Sequence, residues 1–159
     1  MTLADSEETL LSRIAIDAAA CSRASPEQVF ALLKDGSTWP LWAGFDRFEL
    51  ERPGEGEPFG VGAIRVFSTK VTCAREQVVE LIPARRLSYV LLSGFPFRDY
   101  RADVDLEPVD GGTVIHWRSR FEISQIGLGW FWRLFMTLVL NTTSQRLAAA
   151  AERGPAALI

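Results

Sequence analysis

This chain of 159 residues has a single histidine, His116, and only two cysteines, Cys21 and Cys73. The cysteines stand without Cys-x-x-Cys or Cys/His spacing, so paired redox or metal chemistry has no ligand pattern to build on, and both read as small buried hydrophobes on strands. Glycine-rich phosphate cradles are missing too: Gly60-Val61-Gly62 lacks the remainder of a Walker or dinucleotide pattern. Metal sites and cofactors are therefore expected to be none. No basic stripe exists either. The net charge is −3, the pI lies near 5.2 and acids alternate with bases, which excludes the electrostatic footprint of nucleic-acid binding.

Long apolar runs are also lacking. The richest, Trp130 to Leu140, is interrupted by Arg133 and ends at Asn141, short of the ~20 residues of a membrane span. Asp5, Glu7 and Glu8 occupy the place where a secretory leader needs positive charge. Ala18-Ala19-Ala20-Cys21 looks superficially like a lipoprotein cleavage site, but Asp17 precedes it and no apolar region leads into it. A cytoplasmic location is the resulting expectation.

What is present is one domain's worth of core, 48% hydrophobic, expected over residues 10–153 with flexible tails at 1–9 and 154–159. Leu10 to Ser22 reads as an opening strand. Ser25, Pro26 and Gln28 form a capping-box signature that predicts a helix from Pro26 to Lys34, ended by Gly36. Trp39-Pro40-Leu41-Trp42 is too rich in rings for a casual loop and suggests a second short helix. Strand patterns follow at Phe45 to Arg52, Gly62 to Ser68, Thr72 to Leu81, Arg86 to Leu92, Tyr100 to Val109 and Val114 to Ile123. Trp130 to Arg153, free of Gly and Pro, predicts a long closing helix.

In the last two strands Tyr100, Ala102, Val104 and Leu106, and Ile115, Trp117, Ser119 and Phe121, form one face. The alternating positions carry Arg101, Asp103, Asp105, Glu107, His116, Arg118, Arg120 and Glu122. Pairing Val109 with Val114 sets Glu107 opposite His116, Asp105 opposite Arg118, Asp103 opposite Arg120 and Arg101 opposite Glu122. This register is favoured because every pair is complementary. A shift of two residues would set Arg101 against Arg120.

The motifs Ser25 to Leu33, Trp39 with Trp42, Gly60 to Arg65, Pro83 to Tyr89 and Gly111 to Trp117 occur in an order that resembles the SRPBCC superfamily, the START/Bet v 1-like helix-grip fold, and within it polyketide cyclase/dehydrase-like proteins. The resemblance runs from about Leu10 to Glu152 and implies an α+β fold. It also implies a seven-stranded curved antiparallel sheet gripping the long C-terminal helix, with two short helices after the first strand and a cavity between sheet and helix. Ala43-Gly44, Thr69 to Val71, Ser93 to Asp99 and Ser124 to Gly129 should then gather at the cavity mouth, ringed by Trp42, Phe45, Phe95, Phe97 and Trp130.

The expected function is binding of a hydrophobic, aromatic or lipid-like small molecule, uncharged or singly anionic. The ligand-binding candidates are Trp39, Trp42, Phe48, Arg65, Phe67, Tyr89, Phe95, Tyr100, Trp117, Ser119, Phe121, Trp130, Thr137 and Asn141. Two alternatives stand beside it. One is a cyclase/dehydratase-type enzyme using Tyr100, Asp99 or Arg65 for acid–base work, and the other is a module that holds another protein's apolar segment. Arg65 faces the cavity on one strand parity and solvent on the other. Thr137, Asn141 and Ser144 share one helix face, which orients a ligand if it looks inward and is merely solvated if it does not. His116 falls on the ionic face, where it reads as a cross-strand partner. The apolar residues from Trp130 to Leu140 cover more than one helical face, so contact with a second copy, a membrane surface or a covering loop is expected.

Overall fold

The capping box forms as its local chemistry requires. In the computed structural model, which describes residues 12–157, the Gln28 amide donates to the Ser25 hydroxyl at 3.3 Å and the Ser25 amide donates to the Gln28 side chain at 2.9 Å. Strand β1 (Ser12–Ser22) precedes this cap, and helix α1 (Pro26–Lys34) follows it, burying Val29, Phe30, Leu32 and Leu33. A 3-10 turn at Gly36–Thr38 leads into the single-turn helix α2 (Trp39–Trp42). Gly36 is needed because a Cβ there would meet the Phe48 ring at 2.4 Å. Six strands come next: β2 (Arg47–Arg52), β3 (Ile64–Ser68), β4 (Cys73–Ile82), β5 (Arg86–Ser93), β6 (Arg98–Val109) and β7 (Gly112–Ile123). Helix α3 (Gly129–Arg153) closes the chain, followed by a 3-10 turn at Pro155–Ala157. The tail expected at 1–9, and positions 158–159, lie outside the described residues.

All pairings are antiparallel, and the seven strands run in the order β1-β7-β6-β5-β4-β3-β2. The sheet buries the faces expected for its last two strands: Tyr100, Ala102, Val104, Leu106, Ile115, Trp117, Ser119 and Phe121 are inside. His116 lies on the outer face, its Nε2 2.9 Å from Glu107 Oε2.

The expected hairpin register is wrong by two residues. Val109 pairs with Gly112, so Asp105 faces His116, Asp103 faces Arg118 and Arg101 faces Arg120. The turn decides this. Asp110-Gly111 closes a two-residue loop in which Gly111 takes a φ of +80°, a conformation glycine adopts without strain. The charge pattern could not reveal the slip because long side chains also reach diagonal neighbours. His116 meets Glu107 and Arg118 meets Asp105 diagonally. Arg101, opposite Arg120, turns aside to Asp103 and Glu80.

The buried-hydrophobe reading of the cysteines also needs correction, since both thiols are exposed. Cys21 and Cys73 occupy outward positions on β1 and β4, and strand parity outweighs the preference of cysteine for the interior.

The ionic outer face should make the fold acid-sensitive. Burial pushes the Asp103 and Asp105 carboxyls up, but hydrogen bonds from Ser88 and Arg101 to the first, and from Arg86 and Arg118 to the second, outweigh it, so both titrate below their ordinary value. Their contribution is complete above the unfolded carboxylate value near pH 4 and disappears as pH falls through the lower folded values. Urea midpoints measured from pH 7 down to pH 3 are expected to decline, and Asp105→Asn to flatten part of that decline.

Helix α3 is unequal along its length. Its second half is small and buried, with Leu147, Ala148, Ala150 and Ala151 packed inward and Ser22 Oγ donating to the Ala148 carbonyl at 2.8 Å. Its first half carries larger side chains, of which Met136 and Leu140 are buried while Trp130, Phe131, Leu134 and Phe135 are exposed. A space is left beneath that half.

Candidate functional site

That space is a cavity of about 240 Å³ between the sheet and the first half of α3. Its sheet side is built by Tyr89 and Leu91 on β5, Tyr100 on β6, Trp117 on β7, and Ala74 and Glu76 on β4. The helix side comes from Phe135, Met136, Val139, Leu140 and Thr143. Trp39 from α2 closes one flank, with Ala43, Phe45, Thr72, Phe95 and Phe97 from the connecting loops. Three of the four loops expected at the mouth thus contribute wall residues or their immediate neighbours. The fourth touches the helix, where Trp132 Nε1 donates to the Gln125 side chain at 2.9 Å.

Of the sequence candidates, Trp39, Tyr89, Phe95, Tyr100 and Trp117 line this cavity. Trp42, Phe67, Ser119 and Phe121 are buried in the core around it, and Phe48 is half-buried against Phe67. Trp130 is 69% exposed and stands clear of the mouth. Thr137 and Asn141 do not line the cavity. Their side chains donate back to carbonyls of their own helix, to Arg133 at 2.7 Å and Thr137 at 2.9 Å, and Ser144 does the same to Leu140 at 2.7 Å. Asp99 sits in a bulge with φ +49°, which sends its carboxylate to the outer surface.

Arg65 does take the inward parity, but it does not reach the cavity. Its guanidinium is 0% exposed, 4.8 Å above the Trp39 ring, with Nη1 donating to the Leu33 carbonyl at 3.2 Å and Nη2 to Glu76. Its Nε has no partner among the described residues. Sequence reasoning missed several wall residues, among them Leu91, Met136 and Leu140, and the one with chemical consequence is Glu76, 5% exposed. A signal existed: Ala74, Glu76 and Val78 share one parity on β4, and a lone acid between two apolar inward residues asks for a buried partner.

Burial pushes the Glu76 carboxyl up, against the pull of Arg65. Arginine does not shed its proton in proteins, so charge balance keeps Glu76 ionised at neutral pH. Burial, and then neighbouring groups that include Glu76, hold the phenols of Tyr89 and Tyr100 above their ordinary value. Both stay protonated, and Trp117 Nε1 donates to the Tyr89 hydroxyl at 3.3 Å. The wall is therefore aromatic, with one carboxylate and two phenols among its lining residues.

A family model described as polyketide cyclase/dehydrase and lipid transport matches residues 13–152. The chain belongs to this family. A START superfamily protein from Mycobacterium smegmatis shares the fold with a TM-score of 0.75 at 13% identity, over 87% of this chain and 97% of that one. Protein CV1439 from Chromobacterium violaceum gives 0.65 at 18% identity over 87% and 97%, and Ara h 8.0201 gives 0.62 at 15% over 87% and 100%. No curated protein matches the sequence. The architecture is thus the START/Bet v 1-like helix-grip fold.

Proposed function

We propose that this member of the polyketide cyclase/dehydrase and lipid transport family binds one compact hydrophobic molecule, aromatic or lipid-like, in the cavity between the sheet and α3. The observation that carries this is the cavity wall, in which Trp39, Trp117, Tyr100 and Phe135 present flat apolar surfaces around a space of about 240 Å³. That volume lies just under the ~300–1,000 Å³ of drug-sized sites and suits a molecule of two or three rings. Binding energy then comes from apolar burial, about 25 cal/mol per Å² before association costs. Titrating tryptophan fluorescence with fatty acids, flavonoid-like phenols and polyketide mimics is expected to give saturable one-to-one binding for at least one class. A flat response to all of them would overturn the proposal.

A second reading is favoured by Glu76, Tyr89 and Tyr100 lining one cavity: a cyclase- or dehydratase-type enzyme. Glu76 would accept a proton from a carbon next to a ketone, and a phenol would donate to the resulting enolate oxygen. Consumption of a poly-β-keto compound that is lost in Tyr100→Phe and retained in His116→Ala would move this reading ahead of simple binding.

The exposed stripe on α3 fits the same binding role. Phe95 and Phe97 cover part of the helix, with Phe97 5.1 Å from Trp132 and Phe95 6.5 Å from Phe135. Trp130, Leu134 and Leu138 remain 69%, 65% and 65% exposed, and Val71 beside Lys70 is exposed at the neighbouring turn. No acidic residue occurs between Glu122 and Glu152, whereas Arg133 and Arg146 do. An anionic lipid surface matches that combination of rings and cations, and would deliver an apolar ligand next to the mouth. No helix among the described residues is long and apolar enough to cross a membrane. Co-sedimentation with phosphatidylglycerol vesicles is expected, with loss in Trp130→Ser/Leu134→Ser. Concentration-dependent dimers that ignore vesicles would assign the stripe to a second copy instead.

A further inference from the structure

We infer that Glu76 gives the cavity a chemical preference: it takes a neutral apolar compound bearing a hydroxyl group and turns away carboxylates. This rests on the cavity being the binding site, as proposed above. Among the described residues, Glu76 is the one charged side chain on the wall. Its cationic partner cannot serve a ligand, because Arg65 is sealed behind the wall by Trp39, Phe67 and Tyr89, at 4.8, 5.3 and 5.8 Å from their ring centres. An anionic ligand would therefore meet a carboxylate and no accessible cation.

The hydrogen-bond inventory sharpens the preference. Glu76 Oε1 accepts from Arg65, while its other oxygen makes no hydrogen bond among the described residues. An ionised carboxylate has about four acceptor sites, so at least one is open toward the cavity. The phenols of Tyr89 and Tyr100 line the same cavity and can donate. A hydroxyl both donates and accepts, so it satisfies the carboxylate and a phenol at once. An ether or ketone accepts only. A carboxylate brings a second negative charge into a poorly solvated space, where like charges are costly.

The test uses three compounds of one shape: 2-naphthol, 2-methoxynaphthalene and 2-naphthoate, titrated by calorimetry at neutral pH into the full chain. The wild type is expected to bind 2-naphthol about tenfold or more tighter than 2-methoxynaphthalene, a hydrogen bond to a charged acceptor being worth at least that factor. Binding of 2-naphthoate should be weaker still. In Arg65→Met/Glu76→Leu, which removes both charges together, the three should converge, and Glu76→Gln should raise 2-naphthoate relative to 2-naphthol. Equal wild-type affinities, or 2-naphthoate as the tightest, would overturn the inference and leave the binding role standing. A 2-naphthol preference that persists in the charge-free variant would overturn it as well. If neither variant folds by circular dichroism, the wild-type ranking alone decides. No binding of any of the three would remove the cavity as the ligand site for such compounds and the inference with it.

Discussion

Arg65→Met is expected to destabilise the protein by about 3–5 kcal/mol, the cost of leaving one member of a buried ion pair without its partner. Glu76 would lose its cationic partner while remaining nearly covered. The loss should depend on pH in a defined direction. Burial already raises the Glu76 carboxyl in the intact protein, and without Arg65 it rises further. A carboxyl whose folded value exceeds its unfolded value supports the fold below the unfolded value and loses that support as pH climbs through the folded one. Urea denaturation should therefore find the deficit of Arg65→Met smaller at pH 5 than at pH 8. Arg65→Met/Glu76→Leu should recover most of the stability, since well-packed apolar replacements of an ion pair are often neutral or better. A double variant no more stable than the single one would mean that Arg65 contributes packing over Trp39 rather than charge balance.

Trp39→Ala carries the second large effect, about 3–5 kcal/mol, or on the order of 10 °C in melting temperature for a chain of this size. The indole is buried, stacked at 4.7 Å on Phe67 and 5.8 Å from Trp117, and it forms the floor beneath the Arg65 guanidinium. Its Nε1 also donates to the Leu33 carbonyl at 3.1 Å, tying α2 to the end of α1. Removing it opens a void next to the cavity, so ligand affinity should fall along with stability. Because Trp39 and Arg65 touch, the two substitutions should not add, and a double-mutant cycle should give a coupling energy of about 0.5–3 kcal/mol. Strict additivity would show that the ring and the guanidinium stabilise the fold independently.

Much of the architecture was legible because its signals are local. The Ser25–Gln28 box needs only three intervening peptide units to form, and the faces of β6 and β7 follow from the alternation of side chains along an extended chain. The hairpin register was misread for an equally physical reason. Complementary charges meet across direct and diagonal positions alike, so the ionic pattern tolerates two registers, and only the geometry of Asp110-Gly111 separates them. The cysteines show the same hierarchy: residue preference said inside, strand parity put them outside. Thr137 and Asn141 were grouped on one face of α3 by their spacing, but that spacing is also the one at which a helix accepts hydrogen bonds from its own side chains.

The order of elements, the apolar and ionic faces of the sheet and the helix-grip family could be read from the residues alone, because these depend on periodicity and on neighbours within a few residues. Tertiary structure decided the chemistry of the wall. Glu76 and Arg65 lie 11 residues apart and meet only through the β3–β4 register. Whether either charge faces the cavity then depends on Phe67 of the same strand and on Trp39 and Tyr89 from two other elements sealing one of them away. A charged group enters an interior only with its partner and its cover in place, and both are supplied by chain segments distant in sequence.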